Sequence, residues 1–381
     1  MHVLSLEWLA WMAGVTALFW LSPARLRDWS LVAATAAFLL LNAPVSLALL
    51  AAIVVATYWG AGPASTSGWR MLAFLAVVVS AMVAFKLRQG AATTLAGADV
   101  AIPLGLSYYT FRAMHYAIER YKGKLPPHRF GDFVCYMAFL PTILVGPIHR
   151  FPAFHRDRLR RQWSAQHVSA GLERILYGYV KVAVLCNVVV LGLFDRFIAE
   201  LPHEAQGLRL YLAIVQSGLR LYLLFSGFSD VAIGFSRLLG YTIIENFDWP
   251  YLARNIQEFW RRWHISLTSF VRDYLFDFVA AATRQPALGM VASLVVIGLW
   301  HEVSLRYLYW GLYHGMGVLV WHQFQRVKPW LGKPGGPRLK PLRDALATLL
   351  TVHFVWFGFV LVEQPSLAAA FRVWSTILWP W

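Results

Sequence analysis

Between Trp29 and Trp69 the chain carries no Asp, Glu, Lys or Arg. In lipid, backbone N–H and C=O groups must be satisfied by the protein itself, which points such a run toward helices. A transmembrane helix takes about 20 apolar residues. The run is therefore long enough for two passes, with Asn42-Ala43-Pro44 as the natural break between them. Composition agrees: 59% of the 381 residues are hydrophobic and only 14% are charged, against about 25% in a soluble domain. The expected fold class is an all-α polytopic membrane protein.

Apolar segments recur near 6–22, 29–41, 45–60, 70–87, 101–118, 131–148, 172–193, 208–235, 264–281, 287–300, 304–324 and 345–362. Several are too short or too polar to span. Buried or re-entrant segments need not reach spanning length, so roughly 9 to 12 transmembrane or re-entrant helices are expected. They are read as one membrane-embedded domain over 1–381, with a basic loop at 326–343 and C-terminal membrane segments over 344–381. No internal repeat is visible, which weighs against an inverted-repeat transporter.

Residues 6–22 read as a first membrane helix and not as a removed signal, because neither a basic n-region nor a small-residue cleavage site is present. No Lys or Arg precedes it, while Arg25 and Arg27 follow it, which predicts an extracytoplasmic N-terminus. The net charge of +15 would suggest nucleic acid in a soluble chain. Here the basic residues sit in short connectors between apolar runs, so the positive-inside bias explains them and no nucleic-acid partner is implied. One connector, 150–161, holds five Arg in twelve residues. It reads as a contact for lipid headgroups, or as a dock for an acidic partner or a phosphate-bearing donor. Cys135 and Cys186 lie in apolar surroundings and imply neither a disulfide framework nor a metal site.

Two places interrupt the apolar pattern. From Phe139 to Phe151, Pro141 and Pro147 break a membrane segment twice. Such a break needs protein or a water-filled cavity to satisfy the freed carbonyls, so the segment belongs in the interior, as a kink or as the wall of a passage. From Glu245 to Gly315, charge and aromatic rings crowd between apolar segments, and His301 is set in an apolar run. An ionisable residue in a membrane reads by default as functional. His301-Glu302 begins like H-E-x-x-H, but Leu305 stands where the second ligand would be, so no metal is expected. The chain has no phosphate-binding Walker loop and no G-x-S-x-G elbow. A buried histidine, kept neutral, remains as a general base for a hydroxyl nucleophile, or as a polar link between helices.

The motifs in order are Asn246-Phe247 with Pro250, Phe259 to Leu267, Arg272 to Leu275, Gly298 to His301, and Trp310 to Gly315. Upstream stand Leu104 to Phe111 and Gly146-Pro147-Ile148. In this order they resemble the membrane-bound O-acyltransferase (MBOAT) family, over a core of roughly residues 100–325. The likeness is greatest to the bacterial branch, which includes the D-alanyl transferase of teichoic acid and the acetyl-transfer proteins of alginate, cellulose and peptidoglycan. Gly146 to Phe154 is similar to the D-alanyl type, and Arg261 to Leu267 with Arg272 to Leu275 to the acetyl type. Two departures bear on the substrate: Glu302 follows the histidine where relatives usually have Gly, and the piece after Phe276 lacks a P-L-G-G turn.

The resemblance implies helices around a central tunnel in the bacterial cytoplasmic (inner) membrane. His301 matches the catalytic histidine, and His264 the second polar position, expected to orient or to stabilise the transition state. Asn246, Pro147 and Gly298 are expected along the substrate tunnel. Trp260, Trp263 and Trp300 are expected chiefly as packing and interfacial rings. Arg261 and Arg262 are expected to meet donor phosphates or to snorkel to headgroups. No bound cofactor is implied. The substrate would be an acyl thioester on an acyl carrier protein or coenzyme A, and an extracytoplasmic SGNH-type protein would be a partner. From other classes, a flippase using the histidines as a proton relay and a non-catalytic scaffold stay open.

Overall fold

The computed structural model describes residues 5–60, 68–92, 105–331 and 337–379. Leu104 and residues 332–336 of the basic loop lie outside the described residues. Helices follow one another as α1 (Leu6–Leu21), α2 (Arg27–Asn42), α3 (Pro44–Gly60), α4 (Gly68–Ala92), α5 (Leu106–Tyr121), α6 (Phe130–Met137), α7 (Phe151–Arg160) and α8 (Ala165–Tyr179). A π-helical stretch, Val180–Phe194, carries α8 without a break into α9 (Asp195–Glu200), and α10 (Gln206–Leu238) follows. Then come α11 (Ile256–Arg262), α12 (Ile265–Val271), α13 (Asp277–Thr283), α14 (Pro286–His301), α15 (Leu305–Val327), α16 (Lys340–Glu363) and α17 (Leu367–Leu378).

The protein is an all-α polytopic membrane protein. Gly68–Leu87, Ala165–Glu200, Gln206–Leu238 and Lys340–Glu363 are long and apolar enough to cross a bilayer. Leu6–Leu21, Pro44–Gly60, Pro286–His301 and Leu367–Leu378 are apolar but shorter. The charge-free run divides where expected, with α2 ending at Asn42 and α3 starting on Pro44. Proline lacks an N–H that the first turn would leave unpaired anyway.

By their internal contacts the residues group into two compact units, 1–179 with 227–244 and 180–226 with 245–381. In the first, Trp8, Met12, Val15 and Phe19 recur at helical spacing along α1 and all are buried in its core. The twice-broken segment also lies here. After α6 the chain makes one 3₁₀ turn, Leu140–Thr142, and then runs irregularly to α7. The Tyr136 hydroxyl donates to the His149 carbonyl at 2.9 Å, and carbonyls at the end of α6 and in the turn are met by a side chain that the sequence reading passed over. Arg112, fully buried on α5, donates to the carbonyls of Tyr136 (3.3 Å), Met137 (3.0 Å) and Thr142 (2.6 Å) and to Thr142 Oγ1 (2.5 Å). Gly146 sits at φ 145°, where a Cβ would press on Ala232, so glycine is required at this bend.

Two of the five arginines of 150–161 are held inside this unit. Arg158 pairs with Asp28 at 2.8 Å and with Asp132, and Arg161 pairs with Asp28 at 2.6 Å and donates to the Tyr241 hydroxyl at 2.6 Å. They tie α7 to α2, α6 and the stretch after α10. Arg156 and Arg160 are exposed. A headgroup or an acidic partner therefore meets a smaller basic face than the sequence suggests.

In the second unit α14 and α15 pack backbone to backbone. A side chain at Gly311 would strike Val295 and the Leu294 carbonyl, and one at Gly298 would strike the Tyr307 carbonyl and the Trp310 ring. Small residues at such a contact let membrane helices approach closely. The Tyr313 hydroxyl donates to the Phe354 carbonyl at 2.9 Å, joining α15 to α16.

Arg112→Met should strip three buried carbonyls of their donor. An unsatisfied buried polar group costs about 1–3 kcal/mol, so the loss should be on the order of several kcal/mol. Thermal unfolding in detergent checks this: a clearly lowered midpoint is expected, and an unchanged one would contradict the role given to Arg112.

Candidate functional site

The site is built on a short antiparallel pairing of two non-helical stretches. Phe247 bridges to Trp263, the Asp248 N–H donates to the Arg262 carbonyl at 3.0 Å, and the Ile265 N–H donates to the Asn246 carbonyl at 2.9 Å. These bonds clamp Trp263-His264 between α11 and α12. His264 is held at φ 47°, in the left-handed region that a non-glycine residue seldom occupies. Backbone held in such a conformation clusters at functional sites.

The His264 ring is buried, 3% exposed. Its Nδ1 lies 3.1 Å from Asn246 Oδ1, which also accepts from the Ser266 hydroxyl at 2.8 Å and the Ser266 N–H at 3.3 Å. Nε2 is buried with no hydrogen-bond partner among the described residues. Phe225 stands edge-on to the ring at 4.6 Å, and Trp300 lies at 6.4 Å. Burial, with His301 nearby, pushes the imidazole down to about 3, so His264 is neutral at physiological pH.

His301 is placed otherwise than its sequence context suggests. The reading set it within an apolar helix and expected burial. It is instead the last residue of α14, and its side chain is exposed. The helix stops because Glu302 is extended and Ser304 opens α15. The Trp300 ring lies 4.5 Å from His301, Tyr307 stacks on it at 5.9 Å, and Trp310 stands edge-on at 6.1 Å. Trp300 therefore neighbours both histidines, one buried and one accessible. Glu302 also gains a role: it pairs with Arg306 at 2.9 Å, and Arg306 donates to the Gln364 carbonyl at 2.6 Å. That fixes the turn after His301 to the end of α16.

Beside the pair lies a cavity of about 420 Å³ whose wall includes Trp260, Arg261, Ile265, Thr268 and Ile297. Neither histidine lines it. Ile265 follows His264 directly, and Ile297 shares a face of α14 with His301 one turn on, so the cavity wall is built from the same two segments as the pair. Trp260 and Trp263 are buried packing rings: Trp260 stands edge-on to Trp310 at 5.8 Å, and Trp263 stacks on Phe259 at 5.4 Å.

The two expected arginines part company. Arg261 is exposed on the cavity wall, whereas Arg262 is engaged with Glu258 at 2.7 Å along α11. Gly298 faces α15, so a bulky residue there would pry the helices apart instead of plugging a passage. Pro147 is buried in the irregular segment of the other unit. Among the described residues no three His, Cys, Asp or Glu side chains converge as metal ligands.

Known proteins give this arrangement a context. The chain is 30% identical to the "Probable alginate O-acetylase AlgI" of Pseudomonas aeruginosa, over 94% of this chain and 71% of that protein. It is 30% identical to the teichoic acid D-alanyltransferase of Bacillus subtilis, over 67% of each. Against the peptidoglycan O-acetyltransferase of Helicobacter pylori the identity is 25%, over 71% of this chain and 56% of that one. Residues 30–330, which hold every motif of the site, match the family model itself, and the chain belongs to the membrane-bound O-acyltransferase family.

Proposed function

We propose that this acyltransferase moves an acyl group from a cytoplasmic thioester to a hydroxyl of a cell-envelope polymer, or to an extracytoplasmic acyl-accepting partner, in a bacterial cytoplasmic membrane. The observation that carries this reading is the pair of imidazoles about Trp300, one accessible at a helix end and one buried and neutral. His301 takes the proton of the acceptor hydroxyl, and the oxygen attacks the thioester carbonyl. The C–S bond then breaks, the sulfur leaves with the proton from the imidazolium, and the products are an ester and a free thiol. His264 supports His301 from the buried side.

The cavity suits a pantetheine arm. Its volume lies within the roughly 300–1,000 Å³ usual for small-molecule sites, and exposed Arg261 stands on its wall for the donor's phosphates. Coenzyme A and a carrier protein share that arm. The acetylating alginate relatives match more of the chain than the D-alanylating ones, which favours acetyl as the group transferred. A carrier of envelope precursors, with the histidines as a relay, has no such support. Arg25 and Arg27 directly after α1 support a cytoplasmic loop there, and so an extracytoplasmic start of α1.

Envelope polymers from cells with and without the gene should differ by the mass of an acetyl ester, and identical polymers would overturn the reading. His301→Ala should lower turnover by about 10²- to 10⁴-fold, the usual share of general acid–base catalysis, while the protein stays monodisperse. Near-normal turnover in that variant would refute His301 as base. His264→Asn should keep more activity than His264→Ala. Asparagine tolerates the left-handed backbone and its amide can still bond Asn246. Equal losses would count against an orienting role.

A further inference from the structure

Three hydrogen bonds at one atom decide the protonation pattern of the site. Asn246 Oδ1 receives the Ser266 backbone N–H at 3.3 Å and the Ser266 hydroxyl at 2.8 Å. An amide nitrogen could not accept the backbone N–H, so this atom is the carbonyl oxygen. A carbonyl oxygen only accepts. The His264 nitrogen 3.1 Å away, Nδ1, must therefore carry the hydrogen. Neutral imidazole has a single N–H, which leaves Nε2 with a lone pair. That nitrogen is buried and has no partner among the described residues.

We propose that Asn246 is a positioning residue that fixes His264 as the Nδ1–H tautomer, and that His264 Nε2 then accepts an N–H from His301, directly or through one water. Hydrogen-bond direction thus runs one way, from His301 to His264 to Asn246. The outer imidazole is left with its lone pair toward the acceptor hydroxyl. A role for His264 as donor to a developing oxyanion is excluded, since the nitrogen facing away from Asn246 has no hydrogen to give. The proposal rests on His301 as base.

The strain at His264 fits this use. The left-handed backbone, held by the Asn246 carbonyl and the 247–263 bridge, turns Nδ1 onto Asn246. The titratable neighbour bearing on His264 is His301. Around His301 stand Tyr307 on α15 and the Glu302–Arg306 pair at the α14–α15 turn.

The test is the pH profile of transfer by the full-length protein in detergent, with acetyl-coenzyme A as donor. In Asn246→Asp the carboxylate accepts the same three hydrogens, keeps the tautomer and favours the protonated pair. The acid limb of kcat should therefore move to higher pH, by about one unit or more. Asn246→Leu should lower kcat about tenfold or more with little change in KM for the donor, since proton transfer and not binding is affected. A folded Asp variant with an unmoved limb overturns the proposal.

Should either variant fail to fold, ¹⁵N NMR of histidine-labelled wild type still decides, with the His264 signal assigned by its loss in His264→Asn. A protonated Nδ1 and bare Nε2 support the tautomer, and a protonated Nε2 overturns it. Wild type that transfers nothing would sink the acyl-transfer reading instead, and the NMR result would still judge Asn246.

Discussion

The site depends on the 246–248 stretch holding both ends of a two-residue bend: the Asp248 N–H meets the Arg262 carbonyl before it, and Asn246 holds the residues after it. The Asn246 carbonyl takes the Ile265 N–H and its side chain takes Ser266 and the His264 ring. Trp263 is thereby turned into the aromatic packing of its unit, while His264 is turned the other way, toward Trp300. Buried side-chain networks of this kind are favourable only when each member is satisfied. Here all are satisfied but one, His264 Nε2. A single open acceptor inside a closed network is where a reacting group or its partner belongs.

The other unit solves a different problem by the same means. Two prolines interrupt a buried segment, and the Arg112 guanidinium with the Tyr136 hydroxyl supplies donors that the helix no longer can. Nearby, Asp28 gathers Arg158 and Arg161. The net charge of +15 thus overstates the field that a ligand meets, because some cations serve as internal struts.

Much of this was legible in the sequence. A charge-free run broken at Asn42-Ala43-Pro44 gives helices and their boundary from hydropathy and proline chemistry alone. His264 and His301 stand out because polar groups are rare among apolar segments. The exposure of His301 was not legible: Gly-Leu-Trp-His reads as a continuing apolar helix, and nothing in composition shows that Glu302 turns extended. Arg112 was missed because a lone arginine in an aromatic helix looks like any connector charge, and its partners are main-chain carbonyls without a sequence signature. The engagement of Arg262 was readable in principle, since Glu258 stands four residues before it on a helix. The tautomer of His264 depends on contacts across 18 and 20 positions, beyond any local pattern.

In the proposed reaction, acyl transfer at His301 joins a donor on one side of the membrane to a hydroxyl on the other. Oriented proteoliposomes test it most directly, with labelled acetyl thioester on the cytoplasmic face and a hydroxyl acceptor on the opposite face. Labelled ester is expected on the acceptor from wild type and almost none from His301→Ala. Product formed only when donor and acceptor share one face would contradict it.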